Sequence, residues 1–219
     1  KYLTMSILVL GLIAFLGYSV YSKGYFTFQP EGKRYQKNSG LVQDYLLSQQ
    51  PYLVDFGDDE LELLTGNKQR EKNRSFFSQP TEGILLSIYH EPFIAFKSIF
   101  HTNELKTGVI GVATQKEQYV YILKKDHVDI FVNKKPFGTI KGDGQLISPN
   151  DKEALASYTL KNDTSYLIRV KNSPEAEVKL NIESNSLPQR ILDLYGPSTP
   201  EINDLVKILS FYLIGLGVK

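Results

Sequence analysis

Histidines are the residues of this chain that could carry metal chemistry, and there are three of them. His90, Glu91 and His101 flank the segment PFIAFKSIF, and adjacent strands could bring such side chains together. A zinc site needs three or four ligands that converge on one point. Because the spacing of these residues is not that of a zinc motif, the sequence predicts no metal ion and no other cofactor.

Acid–base chemistry is the second candidate, since His127 stands close to Asp126 and Asp129. The same alternation is typical of the exposed edge of a β-hairpin. The chain lacks the G-x-S-x-G turn of serine hydrolases, and KGDGQ (Lys141–Gln145) lacks the glycine spacing of a nucleotide-binding loop. These patterns predict a protein that is not an enzyme, and they identify no small-molecule substrate.

Composition narrows the function classes further. A formal net charge of +1 is not the basic footprint of a nucleic-acid-binding protein. The absence of cysteine excludes disulfides, thiolate metal ligands and a cysteine nucleophile. With 42% hydrophobic residues, the chain is apolar enough to predict a globular body rather than a disordered one.

Residues 1–22 predict a transmembrane helix, because no charged residue occurs from Tyr2 to Ser22 and a bilayer core requires about 20 apolar residues. A signal peptide is the main alternative. Its apolar region is shorter, about 7–15 residues, and ends at a small-residue cleavage site, for which GYSVYSKG is a poor match. We therefore expect a single-pass membrane anchor. The candidate membrane-anchor residues are Leu3, Ile7, Leu8, Leu10, Leu12, Ile13, Phe15 and Leu16.

Basic residues follow the predicted anchor. Their positions fit contact with anionic lipid headgroups, and the alternative is a solvated loop that influences topology. The charges nearest the span, Lys1 and Lys23, balance each other, so the side of the membrane that the body faces stays open. The candidate headgroup-binding residues are Lys23, Lys33, Arg34 and Lys37.

The region 23–82 is mixed in pattern. Helical spacing with Ser39 as the N-cap predicts a helix that Pro51 ends. YLVDF is typical of a strand, and DDELELLT predicts a short helix over Asp58–Thr65. The polar segment 67–75 predicts an exposed loop.

From Gly83 onward the chain predicts an antiparallel β domain, 83–219. Short runs rich in β-branched and aromatic residues alternate with Gly, Pro, Asn and Asp. VDIFVNKKPFGTI and TLKNDTSYLIRV are the clearest hairpins, and SLPQRILDLYGPSTP predicts a short helix or turn.

TPEINDLVKILSFYLIGLGVK predicts a C-terminal helix with Thr199 at the N-cap and Pro200 at its first position. From Leu205 to Val218 only Lys207 is charged, and a helix that is apolar on all sides is buried in protein or in lipid. The stretch is short for a bilayer span. We therefore expect burial within this protein or in a partner, with a membrane-embedded segment as the alternative. The candidate interface residues are Leu205, Ile208, Leu209, Phe211, Tyr212 and Leu213.

The order of these elements resembles the tubby-like barrel superfamily, which includes phospholipid scramblases and the LURP-one-related proteins of plants. VDIFVNKKPFGTIK is similar to the repeated strand–turn–strand unit of that family, NDTSYLIRVKNSPEAEVKL to the strand pair that follows it, and INDLVKILSFYLIGLGV to its central helix. Over residues 83–219 the resemblance implies a closed antiparallel barrel around a hydrophobic helix, and a function in binding or handling membrane lipid.

The expected fold class is α+β: mainly antiparallel β, in a meander or barrel, with an N-terminal transmembrane helix and an apolar C-terminal helix. The first hypothesis for function is a non-catalytic accessory or scaffold subunit, anchored by a single span. Its partners would be other membrane protein subunits and membrane lipid, not nucleic acid. The second hypothesis is a tubby-like protein that binds or handles membrane lipid. The third is an enzyme whose site leaves no pattern.

Overall fold

A computed structural model describes residues 31–71, 81–101, 107–149, 153–180, 189–196 and 199–217. The chain divides into two compact units, Lys1–Lys37 and Asn38–Lys219. Of the first unit, only residues 31–37 are described, and they begin a helix.

The predicted anchor falls outside the described residues, and so does Lys23. Within the ranges that the structure describes, neither helix combines the length and the apolar character that a bilayer crossing requires. The anchor residues that lie outside these ranges are Leu3, Ile7, Leu8, Leu10, Leu12, Ile13, Phe15 and Leu16.

In the described part of the chain, twelve strands form one antiparallel sheet in which every strand neighbours the next in sequence. A short seam closes the sheet almost completely into a barrel: Thr65 bridges Arg190, and Ile191 N donates to the carbonyl of Leu64 at 3.0 Å. The strands are β1 (Leu64–Glu71), β2 (Thr81–Ser87), β3 (Pro92–Phe100), β4 (Gly108–Ala113), β5 (Gln118–Leu123), β6 (His127–Val132), β7 (Lys135–Lys141), β8 (Gln145–Ile147), β9 (Ala154–Asn162), β10 (Ser165–Val170), β11 (Ser173–Lys179) and β12 (Leu192–Leu194).

Both predicted hairpins are confirmed. β6 and β7 are joined by Asn133 and Lys134, whose φ angles of 50° and 67° are those of a tight turn that matches the strand twist. β9 and β10 pair from Asn162 and Ser165 outward. Local alternation and turn residues specify these strands, because a hairpin needs no distant partner.

The C-terminal helix, α2 (Pro200–Gly217), lies inside the barrel. Thr199 accepts a hydrogen bond from Asn203 N at 2.9 Å, as expected of the residue that precedes the first turn. Gly215 packs against Ile110, and the side chains along α2 belong to the barrel core. The sequence left open whether α2 is buried within this protein or in a partner, and the structure shows burial within this protein. The strands that α2 contacts include β3, β4, β5, β9, β10 and β11.

The other helix, α1 (Glu31–Gln49), precedes the strands in the sequence. Its part from Asn38 onward covers the outside of the barrel. Val42 and Leu46 lie directly over Gly111 of β4, where a Cβ atom would come within 2.1 Å of Val42 Cγ1. On the same strand, Ile110 faces α2 inside the barrel. All six residues of β4 are buried for this reason, which explains its continuous apolar sequence GVIGVA.

Two predictions near α1 are wrong. The helix begins at Glu31 rather than after Ser39, which lies in its middle. YLVDF forms no strand: a 3₁₀ turn over Gln50–Tyr52 leads into an irregular segment that is linked to β3 by one hydrogen bond, Val54 N to Pro92 O at 2.8 Å. β3 already pairs with β2 on one edge and with β4 on the other, so it offers this segment no free edge for strand pairing.

Three further predictions are corrected. The helix expected over Asp58–Thr65 is a 3₁₀ helix over Asp58–Leu63. The loop expected at 67–75 contains the end of β1, which pairs with β2. The short helix or turn expected in SLPQRILDLYGPSTP contains β12, which pairs with β11. The start of β1 and the residues just before β12 form the barrel seam, so closure joins segments that are far apart in the sequence.

Candidate functional site

The histidines do not converge. His90 lies before β3, in an exposed turn with a φ of 65°, and His101 lies after the last residue of the same strand. At about 3.3 Å per residue, β3 separates the two by roughly 30 Å. This arrangement excludes a shared ion for His90, Glu91 and His101. No group of three metal-binding side chains is found among the described residues.

The other histidine contacts are ordinary surface interactions. His101 Nε2 lies 2.7 Å from Asn38 Nδ2. His127 Nε2 lies 3.4 Å from Asp129 Oδ1, and Lys124 Nζ lies 2.6 Å from the other oxygen of Asp129. Asp129 is thus shared between two positive or potentially positive groups at a partly exposed hairpin edge, which suits solvation better than proton transfer.

A cluster of charged and polar side chains lies where α2 enters the barrel. The entry cluster consists of Asp58, Asn203, Asp204 and Lys207. The Lys207 ammonium, which is only 14% exposed, forms an ion pair with Asp58 and lies 3.6 Å from Asp204. Asn203 Nδ2 donates to Asp58 Oδ2 at 3.3 Å. The cluster therefore ties the 3₁₀ helix Asp58–Leu63 to α2.

The environment shifts the pKa values of the two carboxyl groups of the entry cluster in opposite directions. The hydrogen bond from Lys207 lowers the pKa of Asp58. Burial raises the pKa of Asp204, with the negative charges of Glu117 and Asp58 acting in the same direction. The positive charge of Lys207 is balanced by the carboxylates of Asp58 and Asp204. The arrangement is therefore an ion-pair network around a largely buried charge.

The barrel interior is rich in tyrosine. Burial raises the pKa of Tyr121 and of Tyr212. Burial and the carboxylate of Glu117, which accepts from the Tyr119 hydroxyl at 2.5 Å, raise the pKa of Tyr119. These phenols therefore stay protonated near neutral pH and act as hydrogen-bond donors, not as nucleophiles or bases.

A third group lies on the outside of the barrel and is called here the outer triad: Lys161, Glu177 and Tyr195. Lys161 Nζ and the Tyr195 hydroxyl each lie 2.6 Å from Glu177 Oε2. The hydrogen bonds from Lys161 and Tyr195 lower the pKa of Glu177 to about 2. The triad joins β9, β11 and the residue after β12, so it braces three strands.

The candidate headgroup-binding residues that the structure describes lie on the first two turns of α1. Lys33 and Lys37 are exposed and Arg34 is half-buried. Lys33 and Lys37, four residues apart, share one face of the helix. The candidate interface residues of α2 lie inside the barrel instead: Leu205 is half-buried, and the buried ones are Ile208, Leu209, Phe211, Tyr212 and Leu213.

Sequence reasoning did not identify Asp58 as the ion-pair partner of Lys207, nor the hydrogen bond that Asn203 donates to Asp58. The available signal was Lys207 itself, since a charged residue in an otherwise apolar buried helix needs an opposite charge. That signal gives no position for the partner, because Asp58 is about 150 residues away in the sequence.

Comparison with protein-family models, with curated proteins and with solved structures gives no match for this chain.

Proposed function

We propose that this chain is a non-catalytic protein that binds membrane lipid through a body of the tubby-like barrel type. The observation that supports the proposal is the enclosure of the apolar α2 by antiparallel strands that follow one another in sequence order. This is the arrangement that the resemblance over residues 83–219 implies. The ion pairs and protonated tyrosines described above also suit a binding body better than a catalytic one.

Lipid headgroup phosphates would be contacted by the basic residues at the start of α1. Lys33 and Lys37 are exposed on one helix face, with Arg34 beside them. Each lysine or arginine close to an anionic membrane surface contributes about 1 kcal/mol of attraction, which salt screens. The predicted anchor at 1–22 would hold these residues near headgroups throughout the life of the protein.

The test is binding of short-chain phosphatidylserine to the detergent-solubilised full chain, with short-chain phosphatidylcholine as the neutral lipid. Replacing Lys33, Arg34 and Lys37 together by glutamine should weaken phosphatidylserine binding on the order of 100-fold at low salt. The matched control replaces the exposed Lys125, Lys134 and Lys135 by glutamine, an equal loss of charge. Equal affinity for both lipids in the unmodified protein would overturn the proposal.

An accessory or scaffold subunit of a membrane protein complex is the second candidate. It is favoured by exposed aromatic side chains: Tyr52 is 73% exposed and Tyr89 is 67% exposed. Tyrosine is enriched at protein interfaces because it offers a large contact area at low entropic cost. Since α2 is enclosed by its own chain, a partner subunit would have to use such surface residues.

Gentle copurification followed by mass spectrometry tests this second candidate. The expected result is a stable membrane protein partner that is lost when Tyr52 and Tyr89 are both replaced by serine. Replacement of Leu160, another exposed side chain at 59%, by serine should leave the partner bound. Purification of the native protein as a lone monomer would contradict the scaffold function.

A further inference from the structure

The outer face of β3, β4 and β5 carries a hydrophobic layer of its own, apart from the barrel core. Residues of β3 and β4 that lie on this face pair with each other, as Ala95 does with Ala113. Gly111 lies on the same face and contacts α1. These positions are fully covered although they point away from α2. The buried side chains of the layer are Ala95, Ile99, Val109, Ala113, Val120, Val42 and Leu46.

Polar contacts fasten α1 at both ends of this layer. Near its middle turn, Asn38 Nδ2 lies 2.7 Å from His101 Nε2. Directly after its end, Gln50 Nε2 donates to the carbonyl of Thr114 at 3.0 Å, and Gln50 Oε1 accepts from Gln118 Nε2 at 2.7 Å. Each of these contacts is a side-chain hydrogen bond at the rim, where water can replace the partner.

A charged pair lies under α1. Lys97 Nζ and Glu82 Oε2 are 2.6 Å apart, with side chains only 16% and 6% exposed. Tyr45 of α1 covers Lys97, whose ammonium lies 4.9 Å from the ring centroid. Burial of an ion pair removes the hydration of both charges. Water would reach the pair again if α1 moved away, and this return of hydration offsets part of the apolar contact that would be lost.

We propose that α1, from Asn38 to its end, is a strap that detaches from the barrel as a unit while the barrel stays folded. The strap attaches through two buried apolar side chains and replaceable polar contacts, whereas the barrel core includes α2 and all the inward-facing strand residues. Detachment uncovers an apolar surface on β3–β5 and a charged pair within it. The strap therefore controls whether water and dissolved molecules reach this face of the barrel.

Cysteine scanning tests the strap, because the chain has no cysteine of its own. Ala113→Cys places one thiol on the outer face of β4, two residues after Gly111, which α1 covers. Ala176→Cys places one in the barrel core, and both alanines are 0% exposed. Each full-length variant is exposed to excess thiol reagent under native conditions. The thiol at position 113 should react at least about 30-fold faster than the thiol at 176, since only the first requires strap opening.

Loosening the strap is the second measurement. Asn38→Ala combined with Gln50→Ala should speed labelling at position 113 severalfold and leave position 176 unchanged. Val120→Cys, on the same outer face, replaces the first probe if Ala113→Cys does not fold. Equal labelling rates at the outer and core positions would overturn the proposal, and so would a double variant that changes neither rate or both rates equally.

Discussion

Gly215 is a position at which α2 approaches the barrel wall closely. A Cβ atom there would meet Ile110 Cγ2 at 2.4 Å, far inside van der Waals contact. The β-branched Ile110 has little freedom to move aside. Tight packing at a single glycine thus sets the distance between the helix and β4.

Gly215→Ala should destabilise the protein by about 1–3 kcal/mol, because overpacking outweighs the helix propensity of alanine. Gly40→Ala is the matched control. Gly40 lies within α1, and a methyl group added there would have no atom within 4 Å, so its substitution should be neutral or stabilising by up to ~1 kcal/mol. Urea denaturation measures both. A Gly215→Ala variant as stable as the Gly40→Ala variant would contradict this account of the packing.

The carboxylate of Glu177 makes the stability of the barrel sensitive to acid. Its pKa is lowered from an ordinary value of 4.5 to about 2, first by the hydrogen bond from Lys161. A lowered pKa stabilises the folded state above the ordinary value, and this contribution is lost as the pH falls from about 4.5 to 2. Thermal unfolding should show a smaller loss of stability over that range for Glu177→Gln than for the unmodified protein. Glu153→Gln, at an exposed position, should keep the original pH dependence.

At the scale of elements, the entry cluster joins the 3₁₀ helix Asp58–Leu63 to α2. Asp58→Asn should destabilise the protein by about 1–3 kcal/mol, because the largely buried Lys207 loses its nearer charged partner and keeps Asp204 at 3.6 Å. Lys207→Met removes the charge that needs a partner. Asp58→Asn should therefore cost much less in the Lys207→Met background. Additive effects in this double-mutant cycle, measured by chemical denaturation, would show that the two side chains are not coupled.

The elements that sequence could predict are those with local partners. β6–β7 and β9–β10 follow from alternation and turn residues, and α2 follows from its cap and its apolar length. β1 and β12 could not be predicted in the same way, because β1 is polar over most of its length and β12 has only three residues. Their strand structure depends on pairing with β2 and β11. The start of α1 was missed because no N-cap residue precedes Glu31.

For the candidate site residues, the sequence could predict which side chains are buried. It could not predict which side chains lie close together in the folded protein. The apolar run around Leu209 indicates that this helix is buried. It does not indicate that strands of the same chain cover the helix, because that depends on closure of the barrel. His90 and His101 are close enough in sequence that adjacent strands could have brought them together. Their separation follows from β3 being one uninterrupted strand between them.

At the scale of the whole molecule, α2 is the core around which the strands close, so barrel and helix should unfold together. Leu209 is 0% exposed within the barrel, and Leu160 is 59% exposed on β9. Leu209→Ala should cost about 2–5 kcal/mol through lost burial and the cavity left behind, whereas Leu160→Ala should change stability by less than about 0.5 kcal/mol. Far-ultraviolet circular dichroism and tyrosine fluorescence should report one shared transition for Leu209→Ala, displaced to lower denaturant. If the barrel kept its original denaturation midpoint while the helix unfolded at lower denaturant, the barrel would not depend on α2 as its core.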